Sequence, residues 1–344
     1  MASVQELRVR SGDWTLRPFE WASQAPVWVG AWGFLAYLAL ALAVWSAFLA
    51  DGMPPALRQL YAGMEVLNGL LLATLPTASA YAQRGAREDL RALRPALRCD
   101  DVEFEAQMRA VARVGAGRLT LAGALGAGLA ACMVFFDPGF WLEGRPELAS
   151  PVFLWVLPRH MATGWVAGHA LVTLLHHTLA FSRLGRKWAV VDLLDLSPLR
   201  AFGRKGQRSA LTLISISILV SCYWLTPMAG SSQPVVLGIV LLFVGFSFVG
   251  PTLGVHHAIV ERKRTEMQRV REAIRLEREH ALDASSTSGG RLADLIAYRG
   301  LIEDVREWPW DVPMLLRLAL YVSLGVGSWL GGAIVERLLG LALG

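Results

Sequence analysis

Seven segments of the chain are apolar over about the length that a helix needs to cross a lipid bilayer, roughly 20 residues. Inside a bilayer there is no water to pair with backbone N–H and C=O groups, so these groups must form hydrogen bonds within the protein. A helix satisfies them within one segment, which favours helices for apolar segments of this length. Over the whole chain 18% of the residues are charged, against roughly 25% in a soluble domain. We therefore predict an all-α integral membrane protein with seven transmembrane helices. The segments are 26–50, 62–82, 115–136, 151–181, 207–229, 233–258 and 314–341.

The basic residues between these segments indicate the side of the membrane on which each loop lies. The stretch before the first segment carries 3 Lys or Arg. The loops after the second, fourth and sixth carry 7, 7 (counting Arg208, at the start of the fifth segment) and 10, and the other loops carry 1, 1 and 0. Because basic residues favour the cytoplasmic side, we predict a multi-pass protein of the plasma or inner membrane. Its N-terminus is expected to be cytoplasmic and its C-terminus extracytoplasmic.

The cytoplasmic parts divide the chain further. Residues 1–25 lack the early apolar region of a secretory signal, and we expect them to form a cytoplasmic or interfacial segment. Transmembrane helices 1 to 6, with helical cytoplasmic extensions, occupy 26–258. Residues 259–312 show apolar positions at helical spacing on both sides of a polar linker, 283–290, which predicts a cytoplasmic helical hairpin. The last transmembrane helix lies within 313–344.

The net charge of +5 is explained by basic loops that face an anionic inner leaflet. We therefore expect the lipid bilayer as a partner, and no nucleic acid. The sequence contains no phosphate-binding loop, nucleophile elbow, HExxH or CxxC motif. We expect no enzyme, no catalytic residue and no resident cofactor.

Two histidine pairs are the main candidates for a metal or haem. The pairs His176-His177 and His256-His257 are predicted at about the same depth, near the inner end of helices 4 and 6. Imidazoles from two helices can hold a transition metal or haem. However, adjacent residues on a helix point about 100° apart. At most one histidine of each pair can therefore face the other helix. A structural or pH-sensing role is the alternative.

Three polar residues within the predicted membrane segments mark a second candidate site. Glu65 and Asn68 lie in helix 2 and Arg159 lies in helix 4. Ionisable residues in a bilayer usually face a partner or a cavity. Arg159 is compatible in depth with Glu65 and with Glu336, and the sequence leaves both pairings open. A small-solute carrier working through Glu65, Asn68 and Arg159 is one possible function.

The last predicted span carries a polar stripe. At 100° per residue its members fall within an arc of about 100° along about 28 Å of helix. Small residues four apart allow close helix packing, whereas charges near both ends of such a stripe are typical of a pore. Both interpretations stay open. The members are Arg317, Tyr321, Gly325, Ser328, Gly332 and Glu336.

The layout resembles the insect odorant and gustatory receptor type of ion channel. The shared features are seven helices with the amino end inside, short outer loops, helical cytoplasmic extensions, and a last helix divided into a cytoplasmic and a membrane piece. Of the gustatory last-helix signature, only Tyr321 is shared. The resemblance implies a homotetramer, a central pore lined by the last helix at the stripe positions, and a ligand pocket in the outer half of the bundle. Glu336, repeated around the outer mouth, would attract cations, so we expect a cation channel that a ligand opens. The alternatives are the carrier and a membrane haem or metal protein.

Overall fold

The computed structural model describes residues 26–49, 55–136, 147–222, 233–282 and 289–325, together with residue 327. Within these ranges the regular elements are helices, and the one pairing of β type is an isolated bridge between Leu97 and Ala189. The prediction of an all-α protein is confirmed. The predicted interfacial segment 1–25 and most of the linker 283–290 lie outside the described residues.

The helices are numbered here in chain order. A π-helical turn, Trp45–Leu49, extends α1, and short 3-10 turns at Arg94–Ala96 and Ser197–Leu199 follow α2 and precede α6. The helices are α1 Pro26–Val44, α2 Pro55–Leu93, α3 Asp101–Ala112, α4 Ala116–Phe136, α5 Pro151–Trp188, α6 Arg200–Cys222, α7 Gln233–Leu282, α8 Gly289–Glu303 and α9 Val312–Gly325.

Local sequence explains where two of these helices begin. Asp100 accepts a hydrogen bond from the backbone nitrogen of Glu103 at 2.7 Å, and the Glu103 carboxylate accepts one from the backbone nitrogen of Asp100 at 3.3 Å, so a capping box starts α3. The hydroxyl of Ser150 accepts a bond from the backbone nitrogen of Phe153 at 3.2 Å, and Pro151 occupies the first position of α5.

Three helical stretches of the described residues are long and apolar enough to cross a membrane: Val27–Ala47, Asp101–Phe136 and Gly238–His280. Helix α9 is also apolar, and its described part is shorter. Helices α2, α5 and α6 place more polar side chains along their length, and many of those face the interior of the bundle. The structure is thus compatible with a membrane protein.

Helix α5 lies at the centre of the bundle and packs most extensively on α4 and α7. The α4–α5 seam is built from glycine. A Cβ atom added to Gly126 would lie 2.1 Å from the carbonyl oxygen of Gly164. The two backbones therefore touch directly, as small residues allow in membrane bundles.

The largest hydrophobic core joins one end of α2, α5, α6 and α7 with α3 and α8. Helix α7 is about 75 Å long at 1.5 Å per residue, and α8 packs against it. The ammonium group of Lys263 on α7 donates to the carbonyl oxygens of Glu303 at 2.9 Å and Val305 at 3.0 Å, which satisfies the end of α8. Fully buried members of this core include Leu90, Leu93, Phe181, Phe202, Ile259 and Ile302.

Candidate functional site

The structure brings Glu65 and Arg159 together in the interior of the bundle. Both side chains are buried, with 5% and 3% of their surface exposed, and the Arg159 guanidinium donates to Oε1 of Glu65. Trp155 donates to the same oxygen at 2.9 Å, and the Tyr37 hydroxyl donates to Oε2 at 2.5 Å. The carboxylate on α2 therefore accepts bonds from α1 and α5, and this ion pair links three helices.

This arrangement selects Glu65 from the two partners that the sequence left open for Arg159. The alternative, Glu336, lies outside the described residues. Asn68 is also buried, but its amide nitrogen donates to the carbonyl oxygen of Met64 at 3.0 Å, within α2. The three polar residues predicted together thus form an ion pair and a separate buried amide.

The histidine pairs bind different neighbours. Nε2 of His176 lies 2.8 Å from the carbonyl oxygen of Ala110 on α3. Nδ1 of His256 lies 2.9 Å from the carbonyl oxygen of Glu307, and its ring stacks on Trp308 with centroids 3.9 Å apart. These bonds hold α3 and the chain after α8 against the bundle.

The other member of each pair is placed differently. Nδ1 of His257 bonds the carbonyl oxygen of Leu253 at 2.7 Å, one turn earlier in α7. His177 is fully buried; its ring nitrogens lack a partner in bonding geometry, although the backbone of Val111 lies near. In the described part of the chain, no group of three or more His, Cys, Asp or Glu side chains is arranged to hold a metal ion.

A buried charge cluster at the other end of α2 was not predicted. Asp89 is 3% exposed and faces α6, where Nη1 of Arg208 lies 3.6 Å from Oδ2 and Nε of Arg204 lies 3.9 Å from Oδ1. Lys205 is completely buried beneath them and donates to the Ser209 hydroxyl at 2.8 Å. Three cations of one helix therefore surround one carboxylate of another.

Burial governs the protonation of this cluster. It raises the pKa of Asp89 above its ordinary value, against the opposing effect of Arg208, Lys205 and Arg204. Burial also lowers the pKa of Lys205 to about 8, although the Asp89 carboxylate opposes the shift. A sequence signal exists, since Arg204, Lys205 and Arg208 fall at helical spacing at the start of an apolar segment. It identifies a cationic face but not the acid that meets it.

A groove of about 840 Å³ opens between α1, α2, α6 and α9 near this cluster. Arg204, Arg208 and Arg317 lie at one end of the groove, and Phe34 and Leu70 lie at the other. The groove is open along one side. It combines a cationic end with mainly apolar walls.

The described half of the polar stripe on α9 lies beside this groove. Arg317 and Tyr321 line it. At Gly325 an added Cβ would lie 3.2 Å from the Ile214 side chain of α6, so this glycine allows α9 to approach α6. Ser328, Gly332 and Glu336 lie outside the described residues.

A second, more enclosed cavity of about 260 Å³ lies between α2, α5, α6 and α7. Its walls are mostly apolar, with Leu75, Leu174 and Phe243 among them. Thr173 is 2% exposed and also lines it, and the Thr173 hydroxyl has no hydrogen-bond partner among the described residues. Ser79, Thr212 and Ser217 also line it, but their hydroxyls donate to carbonyl oxygens of their own helices. Thr173 therefore supplies the uncommitted hydroxyl in a mostly apolar chamber.

Comparisons with known proteins add no relative. No family model, no curated protein and no solved structure matches the chain. The resemblance in layout to the insect receptors therefore stays a prediction from the sequence.

Proposed function

We propose that the protein is a seven-helix membrane channel that conducts cations and assembles as an oligomer, with α9 of each subunit beside a shared pore. The largest hydrophobic core supports the proposed orientation. It unites residues of 84–113, 182–206 and 259–312, the three most basic loops of the sequence. These loops lie at one end of the bundle, as the alternation of basic loops across a membrane requires.

The position of α9 is the observation that carries the channel proposal. This helix attaches to α6 and α7 through one narrow face formed by Met314, Leu318 and Val322. Leu316 and Leu320, on other faces, are 65% and 58% exposed. A helix held at the edge of its own subunit by one face has most of its circumference free to meet copies of itself around an axis.

The exposed sector of α9 defines the pore side in this proposal. Ser323 lies near the middle of that sector, opposite Met314 and Leu318, and is exposed. Tyr321 lies between this sector and the groove and is 38% exposed. In this proposal the pore is lined by the free side of α9. Arg317 and Tyr321 of the predicted stripe lie at the edge of that side and line the groove, whereas Gly325 lies on the face that packs against α6.

Thiol modification in planar bilayers tests this arrangement. Cys99, Cys132 and Cys222 are first replaced by serine, and Ser323→Cys or Leu125→Cys is then introduced. Leu125 is the matched control because it is 66% exposed on α4, another apolar helix, and faces lipid in this proposal. We expect unitary cation currents that a small charged methanethiosulfonate reagent reduces only in Ser323→Cys. Absence of unitary currents, or equal insensitivity of both variants, contradicts the proposal.

The enclosed cavity favours a second candidate, a small-solute carrier. A carrier needs an interior binding site, and the chamber beside Thr173 has the enclosed, mostly apolar shape that such a site requires. For a carrier we expect saturable uptake into vesicles, which Leu174→Trp abolishes by filling the chamber. Uptake that is absent or unaffected by this change excludes the carrier.

A further inference from the structure

We infer that the groove between α1, α2, α6 and α9 binds an anionic phospholipid, with the phosphate at the arginine end and an acyl chain along the apolar walls. The inference requires that the bundle lies in a membrane, as proposed above, but it does not require a pore. Three features of the groove support lipid binding: the positive charge at one end, the apolar walls, and a length that matches one leaflet of a bilayer.

The arginine end has surplus positive charge. Arg204 has 54% of its side chain exposed, and the nearest carboxylate is the buried Asp89, 3.9 Å away. Arg208 divides its charge between Asp89 and Glu88, at 3.6 and 3.5 Å. Arg317 forms no ion pair with another described residue and is exposed. Guanidinium groups bind phosphate through paired hydrogen bonds, so this end suits a phosphate group.

The orientation of Arg208 is fixed by a glycine. A Cβ added to Gly85 of α2 would lie 1.5 Å from Nη1 of Arg208. The guanidinium therefore crosses α2 at a position without a side chain, and it lies 5.7 Å from the ring centre of Tyr81, which also lines the groove. The arginine is held in place before any ligand arrives.

The walls farther along the groove are apolar in effect, even where they carry hydroxyl groups. Thr77 donates to the carbonyl oxygen of Ala73 at 2.6 Å, and Thr212 donates to that of Arg208 at 2.9 Å. Ser215 donates to the carbonyl oxygen of Leu211 at 3.0 Å. Because these three hydroxyls are bonded to their own helices and most other wall residues are apolar, the walls present mainly hydrocarbon, which suits an acyl chain better than a free phosphate ion.

The depth of the groove matches one leaflet. On α2 its lining runs from Leu70 to Tyr81, about 16 Å at 1.5 Å per residue. This is about half of the roughly 30 Å hydrocarbon thickness of a bilayer. The arginine end lies beside the hydrophobic core that unites the three basic loops, which face the cytoplasm in the proposed orientation. The lipid therefore comes from the cytoplasmic leaflet, where anionic lipids attract Lys and Arg.

Native mass spectrometry of the full-length protein, released from nanodiscs that contain phosphatidylcholine and phosphatidylglycerol, tests the inference. The charge variant is Arg204→Gln with Arg317→Gln. Its control is Arg269→Gln with Arg275→Gln, which removes the same charge from side chains 64% and 76% exposed on α7. We expect wild type and control to retain phosphatidylglycerol selectively, and the charge variant to retain less by on the order of tenfold.

A second variant separates a lipid from a free anion. Ala31→Phe adds bulk to the groove wall on α1 and leaves all three arginines in place. Loss of retained lipid in this variant, with an unchanged melting temperature, supports the acyl-chain assignment. Displacement of the lipid by inorganic phosphate would overturn it. Equal retention of both lipids by wild type, or equal retention of phosphatidylglycerol by the charge variant and its control, would overturn the site itself.

Discussion

At the scale of single residues, changes to the Glu65–Arg159 ion pair are expected to alter the stability of the protein most. Removal of one partner leaves the other charge buried, which costs about 3–5 kcal/mol, whereas replacement of both by apolar residues is often nearly neutral. We expect Arg159→Met and Glu65→Leu each to lower stability strongly, and the double variant to be more stable than either single one. Thermal unfolding in detergent measures this.

An exposed ion pair serves as the control for this double-mutant cycle of Glu65 and Arg159. Arg299 and Glu303, 2.8 Å apart, are 43% and 48% exposed, and a surface pair of this kind contributes about 0–1 kcal/mol. We expect Arg299→Met to leave the melting temperature nearly unchanged. Strictly additive losses in the Glu65 and Arg159 cycle would show that the pair is not coupled.

Lys205 gives the protein a stability that depends on pH. Burial lowers the pKa of Lys205 to about 8 from 10.5, against Asp89 and with a smaller contribution from Arg208. Between these values the unfolded chain holds a proton that the folded protein has released, so stability rises with pH. The full shift corresponds to about 3 kcal/mol. His177 also lies close enough to interact electrostatically with Lys205.

The measurement is the melting temperature between pH 7 and pH 10 for wild type and Lys205→Met. We expect wild type to gain stability relative to the variant as pH rises above about 8. Lys187→Met is the control, because Lys187 is exposed and is one of only three lysines in the sequence. A constant difference between wild type and Lys205→Met would show that Lys205 does not lose its proton in this range.

At the scale of elements, glycines on α4 distinguish a helix contact from a free surface. An added Cβ at Gly126 meets the Gly164 backbone of α5 at 2.1 Å, whereas Gly128 has nothing within 4 Å. We expect Gly126→Ala to destabilise the protein by roughly 1–3 kcal/mol through overpacking. Gly128→Ala should be neutral or stabilising by up to about 1 kcal/mol, since alanine favours a helix over glycine. Equal effects of the two changes on thermal unfolding would contradict the close α4–α5 seam.

The same element scale shows which pairings a sequence can predict. Apolar length predicts helices at α1, α4 and α7 because the bilayer requirement is local to each segment. Helix pairing is not local: Glu65 and Arg159 are 94 residues apart, and depth alone allowed Glu336 equally. The buried cluster of Lys205 and Asp89 was not predicted, because basic residues near a membrane surface are usually solvated. Gly325 fitted both packing and a pore, and its contact with Ile214 required the position of α6.

At the scale of the whole molecule, the protein is a helical bundle with an ion pair in its interior, a hydrophobic core that joins the basic loops at one end, and α9 at its edge. The core explains why the basic loops lie together. The edge position of α9 leaves room for the proposed contact between subunits, since Leu316 and Leu320 are exposed in the part of the chain that the structure describes. The groove explains the cluster of arginines beside apolar walls.

The number of subunits in the complex decides whether a pore can be shared between copies of α9. Native mass spectrometry of the full-length protein released from nanodiscs gives this count for the assembled complex. We predict a homotetramer, in which the free sides of four α9 helices meet around one axis. A monomer under these conditions would contradict the shared pore and leave the enclosed cavity beside Thr173 as the basis for function.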